Sequence, residues 1–457
     1  MRDDALLVLD IGKTNAKLTL VDADGQMLAE QRRANAVINA APYPHHDTEG
    51  LWDWILASCR AFAAQAHIGA IVPVTHGATA ALVDEAGLVL PVLDYEAPLP
   101  NVDYAARPPY AETLSPALPA GLNLGRQLVW LAQSFPAEFA RARNILMYPQ
   151  YWAWRLCGRA AGEATSLGCH TDLWQPLQQR YSSLVTRMGW QPLLPDLAPP
   201  WTVLGTLKPH LAQATGLPVD CAVLSGIHDS NASLLRHLPQ RSQPSDGDAA
   251  RTVLSTGTWV IAAAIGAPLH RLREQADMLA NTSALGQPVA SMRFMGGREF
   301  ASLAGADAVP CSAADVARLV EQATLALPCF AEAGGPFAGH AGRIDGPPPR
   351  TPQERYALAT LYCALMTAYC LEALGAGGPI TVEGSFTANP FFGPLLAALR
   401  PEQQVSDSDD ASGTTWGAWL LRHRDRTLPS TTRPAPALTP PGLAAYQQRW
   451  LAALPQG

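Results

Sequence analysis

Residues 6–20 read Leu-Leu-Val-Leu-Asp-Ile-Gly-Lys-Thr-Asn-Ala-Lys-Leu-Thr-Leu. An apolar run ends on Asp10, the turn Ile11-Gly12-Lys13-Thr14-Asn15 follows, and a second β-like run begins at Ala16. Acid, glycine and hydroxyl residues in a turn between two strands bring backbone N–H groups and a Mg²⁺-holding carboxylate to a nucleotide's phosphates. On that reading the protein spends ATP. The tripeptide Gly12-Lys13-Thr14 is not a P-loop. That motif needs a glycine where this chain has Leu7, and it leads into a helix rather than the strand-like residues 17–20. An ordinary hairpin carrying a surface aspartate fits the same stretch, so the rest of the chain decides.

Outward from this point the pattern is strand, turn, strand. Asp24-Gly25 turns the chain into a third strand at 27–32. A helix is predicted over 49–66, with Leu51, Trp52, Ile55, Leu56, Cys59 and Phe62 on one face. An apolar strand at 70–74 then ends in Thr75-His76-Gly77, and a hairpin joins 81–83 to 88–93. Three antiparallel strands followed by helix and strand is the order of a ribonuclease-H-like unit. Residues 98–119 are proline-rich and irregular, and 124–133 and 151–156 are helical. The polar stretch 241–249, Arg-Ser-Gln-Pro-Ser-Asp-Gly-Asp-Ala, is the best linker candidate and divides the chain into domains at 1–240 and 249–457.

After the linker the opening pattern returns: a strand at 252–254, the turn Ser255-Thr256-Gly257-Thr258, and a strand at 259–265. This is a duplicated architecture. Thr351-Pro352-Gln353-Glu354 is a capping box with proline at the first helical position. Its helix runs to Leu374 and stops at Gly375. A strand at 380–382 leads into Glu383-Gly384-Ser385 and then Asn389-Pro390, and a short helix closes the sequence at 443–454.

Bulk composition excludes several classes. The 457 residues, 48% hydrophobic and 16% charged, suffice for two domains with separate cores. Net charge is −7 with no basic stripe, which argues against nucleic acid. Residues 1–4 precede only a short apolar strand, so no signal peptide is expected. Residues 356–371 are too short to span a membrane and suit a core helix. The eight cysteines show no paired spacing and are read as reduced thiols in a cytoplasmic protein. Cys169-His170 has no second half of a metal site nearby.

Four segments fall at the C-terminal ends of predicted strands, where open α/β sheets bind ligands. They are the Asp10 turn, Gly226-Ile227-His228-Asp229-Ser230-Asn231, the Ser255–Thr258 turn, and the loop from Glu383 to Asn389. Jointly and in order they resemble the FGGY family of carbohydrate kinases, in the sugar-kinase/Hsp70/actin superfamily, from the first strand to about residue 420. Asp-Ile-Gly-Lys-Thr-Asn-Ala-Lys is similar to the family's first phosphate motif, and Gly-Ile-His-Asp-Ser to the segment holding its catalytic aspartate. Leu-Ser-Thr-Gly-Thr-Trp is similar to the second phosphate motif, and Glu-Gly-Ser-Phe…Asn to the adenosine motif.

The resemblance implies an α/β fold of two ribonuclease-H-like (actin-like ATPase) domains with a central interdomain cleft. It implies ATP and Mg²⁺, with Asp10 on the metal and Asp229 as general base. Gly12, Thr14, Asn15, Thr256 and Gly257 would serve the phosphates; Gly384, Ser385 and Asn389 would serve the adenosine. His76 with Gly77, Asp94 and His228 are the sugar-pocket candidates. The competing readings are an N-cap at Asp229 and a plain turn at Asn389-Pro390. Lys13 or Lys17 adds positive charge or faces solvent. Met295-Gly296-Gly297-Arg298-Glu299 is a loop over the cleft, with Arg298 on a phosphate or paired to Glu299.

The chain departs from the family where Lys13 replaces a threonine or alanine and where Glu383-Gly384-Ser385 replaces three glycines. It also lacks a clear aromatic-plus-acid segment, the nearest match being Val92-Leu93-Asp94-Tyr95. The implied partner is a small-molecule sugar, a 6-deoxy-ketohexose in the rhamnulose and fuculose branch, with no nucleic acid or membrane and homodimerisation open. The rivals are an actin-like or Hsp70-like ATPase acting on a protein, a kinase of another pentulose or polyol, and a sugar-binding module without catalysis.

Overall fold

The opening stretch is a hairpin of β1 (Ala5–Ile11) and β2 (Asn15–Val21), with Leu7 opposite Leu20 and Asp10 opposite Lys17. The computed structural model describes residues 4–238, 250–331, 334–408, 412–428 and 432–455. The linker expected at 241–249 lies outside the described residues. All of β1 is buried, as befits a central strand covered on both faces. β3 (Met27–Ala34) pairs antiparallel with β2, while β4 (Ile68–Thr75) and β5 (Ala222–Leu224) add in parallel beyond β1. The strand order β5-β4-β1-β2-β3 carries Val203–Thr206 on its far edge, and β6 (Ile227–His228) runs beside the end of β4.

α1 (Thr48–Ala63) covers this sheet through Leu51, Ile55, Cys59 and Phe62, all buried. Trp52 and Leu56, expected on the same face, are half-buried at its margin. Each buried side chain of this size contributes about 1.5–3 kcal/mol by leaving water. Asp47 starts the helix by accepting the Gly50 N–H at 2.9 Å. α2 (Tyr148–Cys157) buries Tyr148, Tyr151 and Trp152 in the same core. Two short helices, α3 (Ala164–Leu167) and α4 (Asp229–Leu235), follow later in the unit.

The plan recurs with β7 (Arg251–Thr256), β8 (Val260–Ile265), β9 (Pro288–Phe294), β10 (Ile380–Gly384) and β11 (Val405–Ser408). Their order is β9-β8-β7-β10-β11, antiparallel up to β7 and parallel beyond it. The two sheets therefore share one topology, the ribonuclease-H-like arrangement expected from the repeated strand–turn–strand openings. α5 (Gly296–Ala304) packs against α6 (Pro352–Leu374), and α6 and α7 (Phe392–Leu399) pack against the second sheet. α6 is long and apolar enough to cross a membrane, but 83% of its apolar window is buried inside the protein, so it is a core helix. Thr351 caps it by accepting the Glu354 N–H at 3.1 Å. Glu354 does not complete the box: its carboxylate takes the Arg350 N–H (2.6 Å) and Arg318 Nη1 (2.7 Å).

The expected division at the linker is corrected in two places. The chain folds into two compact units, and both Ala280–Pro288 and Ser412–Leu428 belong to the first. Ala280 N donates to Leu114 O (3.0 Å) and Thr282 N to Gly168 O (3.1 Å). α8 (Gly413–Arg422) packs against α4, where a Cβ on Gly417 would stand 1.7 Å from the Ala232 carbonyl oxygen. Trp419 Nε1 then donates to Asp22 O (3.0 Å). Such close backbone approach requires glycine, and no periodicity in the sequence announces it.

Candidate active site

Asp10 is the penultimate residue of β1, and the β1–β2 register sets it directly across from Lys17, whose Nζ lies 3.0 Å from Asp10 Oδ2. Burial pushes the Asp10 carboxyl above its usual range; Lys17 opposes this, and the nearby charges of Asp229 and Glu30 add to it. Asp10 and Asp229, 219 positions apart in the chain, are thus electrostatic neighbours within the first unit. The turn between β1 and β2 is closed by Gly12 N donating to Asn15 O (2.9 Å) and Asn35 Nδ2 to Gly12 O (2.7 Å). Thr14 and Asn15 are exposed, with Asn15 Nδ2 donating to Thr14 Oγ1 at 3.1 Å.

Asp229 follows a turn that only glycine permits. Gly226 has φ +85°, and a Cβ there would stand 2.5 Å from the Pro73 carbonyl oxygen. His228, not Asp229, occupies the N-cap position of α4; Asp229 sits in the first turn, where the helix dipole favours its charge. Three donors converge on one oxygen of Asp229. Oδ1 accepts Ser230 N (2.5 Å) and Ser230 Oγ (3.2 Å), and His228 Nε2 lies 3.2 Å away. No described residue bonds Oδ2, and 31% of the side chain is exposed. Burial raises the Asp229 carboxyl above its usual range, offset by His76 and the Ser230 donors.

The histidines are neutral. Burial lowers both His76 and His228 to about 4. Asn231 Nδ2 donates to His228 Nδ1 at 3.3 Å, so the ring proton sits on Nε2 and points at Asp229. His228 is fixed from behind: its N–H donates to Thr165 Oγ1 (3.1 Å), whose hydroxyl donates to Glu163 Oε2 (2.6 Å). A Cβ on Gly77 would stand 2.8 Å from His228 Nε2, so Gly77 makes room for that ring. His76 Nδ1 donates to Gly77 O (3.0 Å), and its buried Nε2 has no partner among the described residues. Tyr95 stands edge-on to His76 at 5.7 Å. Asp94 is not free: Oδ1 accepts Lys13 Nζ and the Glu96 N–H (3.3 Å). A cavity of about 660 Å³ lined by His45, His46, Trp52, Trp154, Arg155 and Lys208 contains none of the predicted site residues.

In the second unit Thr256 ends β7 and Gly384 ends β10, paired in register. The Thr256 hydroxyl donates to Glu383 O (2.5 Å) and accepts the Phe386 N–H (3.0 Å), and Gly257 N donates to Trp259 O (2.8 Å). The side-chain donor expected of Thr256, and the N–H of Gly257, therefore hold the turn itself. Gly384 has φ +89°, and a Cβ would stand 2.0 Å from the Thr256 carbonyl oxygen, which accounts for that glycine without a ligand. Ser385 is exposed. Asn389 is committed to packing: Nδ2 donates to Thr360 Oγ1 (2.9 Å) and Oδ1 accepts the Phe391 N–H (3.1 Å). Residues 296–299, expected as a loop, begin α5, whose Gly297 N donates to Thr258 O (3.2 Å). Glu299 is buried and accepts the Phe330 N–H (2.9 Å) and the Tyr362 hydroxyl rather than Arg298.

Comparison with known proteins fits this geometry. A profile described as "Carbohydrate kinase FGGY, C-terminal domain" matches residues 248–431. The crystal structure of a carbohydrate kinase from Novosphingobium aromaticivorans superposes with a TM-score of 0.91 at 36% identity, covering 99% of this chain and 98% of that one. The chain belongs to the FGGY family of carbohydrate kinases. L-fuculokinase of Salmonella typhi is 28% identical over 279 residues, 57% of this chain and 56% of the relative, so the match spans little more than half the length of that curated protein. A ligand-bound xylulose kinase from Lactobacillus acidophilus shares the fold, with a TM-score of 0.80 at 16% identity.

In this FGGY chain, Asp10 is a buried carboxylate that could hold a cation, its Oδ2 paired with Lys17 Nζ at 3.0 Å. Among the described residues no group of three or more His, Cys, Asp or Glu side chains forms a metal cage. A single buried carboxylate suits Mg²⁺, which usually binds through one or two carboxylates and completes its shell with phosphate and water. Asn231, Glu163 and Thr165 were not singled out from sequence, whereas Tyr95 stood in the quoted Val92–Tyr95 segment. Asn231 lay inside the quoted Gly226–Asn231 segment; Glu163 and Thr165 carried no motif at all.

Proposed function

We propose that this protein is an ATP-dependent sugar kinase that phosphorylates a hydroxyl of a small ketose, a 6-deoxy-ketohexose such as L-fuculose or L-rhamnulose being the first candidate. The observation that carries the proposal is Asp229: one oxygen saturated by three donors, the other open, beside a second carboxylate at Asp10. The names of the relatives, L-fuculokinase and a rhamnulokinase of Oceanobacillus iheyensis (26% identical over 139 residues), support the substrate class.

In this mechanism Asp229 Oδ2 accepts the proton of the attacking sugar hydroxyl. The sugar hydroxyl oxygen bonds to the γ-phosphorus as the bond from that phosphorus to the β–γ bridging oxygen breaks, and ADP leaves with the electron pair. The loose transition state needs the hydroxyl oriented more than deprotonated early, so a carboxylate suffices. His76 Nε2, buried with a free lone pair, accepts a second sugar hydroxyl. Asp10 would hold Mg²⁺, which would supply charge neutralisation to the phosphates. In the first unit the exposed Thr14 and Asn15 are the phosphate-binding candidates, and in the second unit the exposed Ser385 is the nucleotide candidate. The eight cysteines are free thiols, which suits a reducing, cytoplasmic setting.

The test is an ADP-release screen across ketoses and polyols with Mg²⁺. Sugar-stimulated ADP release with phosphorylated product is expected. ATP turnover indifferent to every sugar would favour an ATPase acting on a protein partner.

A further inference from the structure

The Lys13 side chain leaves the β1–β2 turn and meets the segment Asp94-Tyr95-Glu96. Its Nζ bonds Asp94 Oδ1, lies 3.4 Å from Glu96 Oε2, and stands 4.8 Å from the Tyr95 ring centroid. Both ends of the pair are largely shielded, at 18% and 7% side-chain exposure. Tyr95 packs edge-on against His76, and the Lys13 charge is felt at His46 and His76, so the ammonium belongs to the same cluster as the acceptor-site candidates.

We infer that the Lys13–Asp94 pair filters acceptors by charge, admitting neutral polyhydroxyl sugars and rejecting carboxylate-bearing counterparts such as aldonates. This rests on the kinase reading above and specifies its substrate. A shielded lysine without a counter-ion binds carboxylates. Here Asp94 occupies that charge and Glu96 adds a second, more exposed carboxylate. Within the cluster two lysines, Lys13 and Lys17, face four carboxylates, Asp10, Asp94, Glu96 and Asp229, while both histidines are neutral. A further negative charge is repelled. A hydroxyl is instead complementary, because it both donates and accepts: the pair offers ammonium N–H donors beside the second oxygen of Asp94. An aldonate carboxylate only accepts.

The two ends of the pair give opposite predictions. Titration calorimetry without nucleotide would compare a six-carbon aldonate with the matching neutral sugar on wild type, Asp94→Asn and Lys13→Met. Asp94→Asn, nearly isosteric, is expected to raise the aldonate-to-sugar affinity ratio at least tenfold; Lys13→Met is expected to lower it. A ratio within twofold of wild type in Asp94→Asn overturns the filter, as does movement in the same direction in both variants or an aldonate preference in wild type. Phosphorylation by wild type is scored separately. A neutral sugar that is phosphorylated while the variants show no opposing shift retires the filter and leaves the kinase reading standing. Opposing shifts in binding with no phosphorylation of any sugar uphold the filter and retire the kinase reading.

Discussion

His228 Nε2 lies 3.2 Å from Asp229 Oδ1, and Asn231 Nδ2 holds the opposite ring nitrogen at 3.3 Å. Adjacent residues rarely point at one another, and here the N-cap geometry of α4 turns both side chains to the same side. The consequence is a carboxylate with a fixed orientation: one oxygen loaded with donors, the other left for a substrate proton. Removing the ring in His228→Ala leaves only Ser230 on Oδ1. Steady-state kinetics are expected to show kcat falling about 100-fold, the order lost when a catalytic group is put out of line by about 1 Å, with KM for MgATP within about twofold.

Two glycine substitutions separate activity from stability. Gly77→Ala places a Cβ 2.8 Å from His228 Nε2, a side chain able to shift, so the protein folds but kcat drops about tenfold or more. Gly384→Ala sets a Cβ 2.0 Å from the Thr256 carbonyl oxygen at φ +89°, where backbone must move. A loss of about 2–4 kcal/mol is expected there, read as a fall in Tm of several degrees. A Gly77→Ala protein with unchanged kcat would remove His228 from its orienting role.

Asp10→Asn keeps the shape and removes the charge that would hold Mg²⁺. Nucleotide affinity measured with and without Mg²⁺ is expected to converge in this variant, whereas wild type binds more tightly with the metal. An undiminished Mg²⁺ effect would place the cation elsewhere.

Acid and base act on stability in opposite senses. His228 is buried neutral near 4, so the unfolded chain takes up protons first; its contribution is present above about pH 6.5 and lost as pH falls toward 4. His76 shifts in the same direction. Burial raises Glu163 to about 7, so its contribution is present below about pH 4.5 and lost as pH rises through 7. Each shift is worth up to about 3 kcal/mol. Because the windows overlap, unfolding free energies should be compared with Glu163→Gln across pH 4–8. The variant is expected to show a weaker alkaline decline, the remainder coming from the raised carboxyls of Asp10 and Asp229, and to keep the acid one.

Much of this was legible in the sequence, for reasons that differ by residue. Asp10 and Gly226–Asn231 stand out because apolar strands end abruptly in acid and glycine, and both sheets declare themselves through the repeated strand–turn–strand openings. The helix at 352–374 is announced by its cap and its terminal glycine. The return of α8 to the first unit rests on Gly417 meeting the Ala232 backbone, a contact between distant segments that no local pattern encodes. Thr256 and Asn389 carried the right chemistry but commit it to Glu383 in β10 and Thr360 in α6, which only the hydrogen-bond partners reveal. Lys13 read as added positive charge or a solvent-facing residue, and its partner Asp94 lies 81 residues away.

The central claim is that Asp229 takes the proton of the sugar hydroxyl. The direct measurement is Asp229→Ala in a phosphorylation assay, with sugar and MgATP binding followed in parallel by calorimetry. Phosphoryl transfer is expected to fall by about 10²–10⁴-fold while both ligands still bind within a few-fold of wild type. A variant that keeps wild-type turnover would contradict the account.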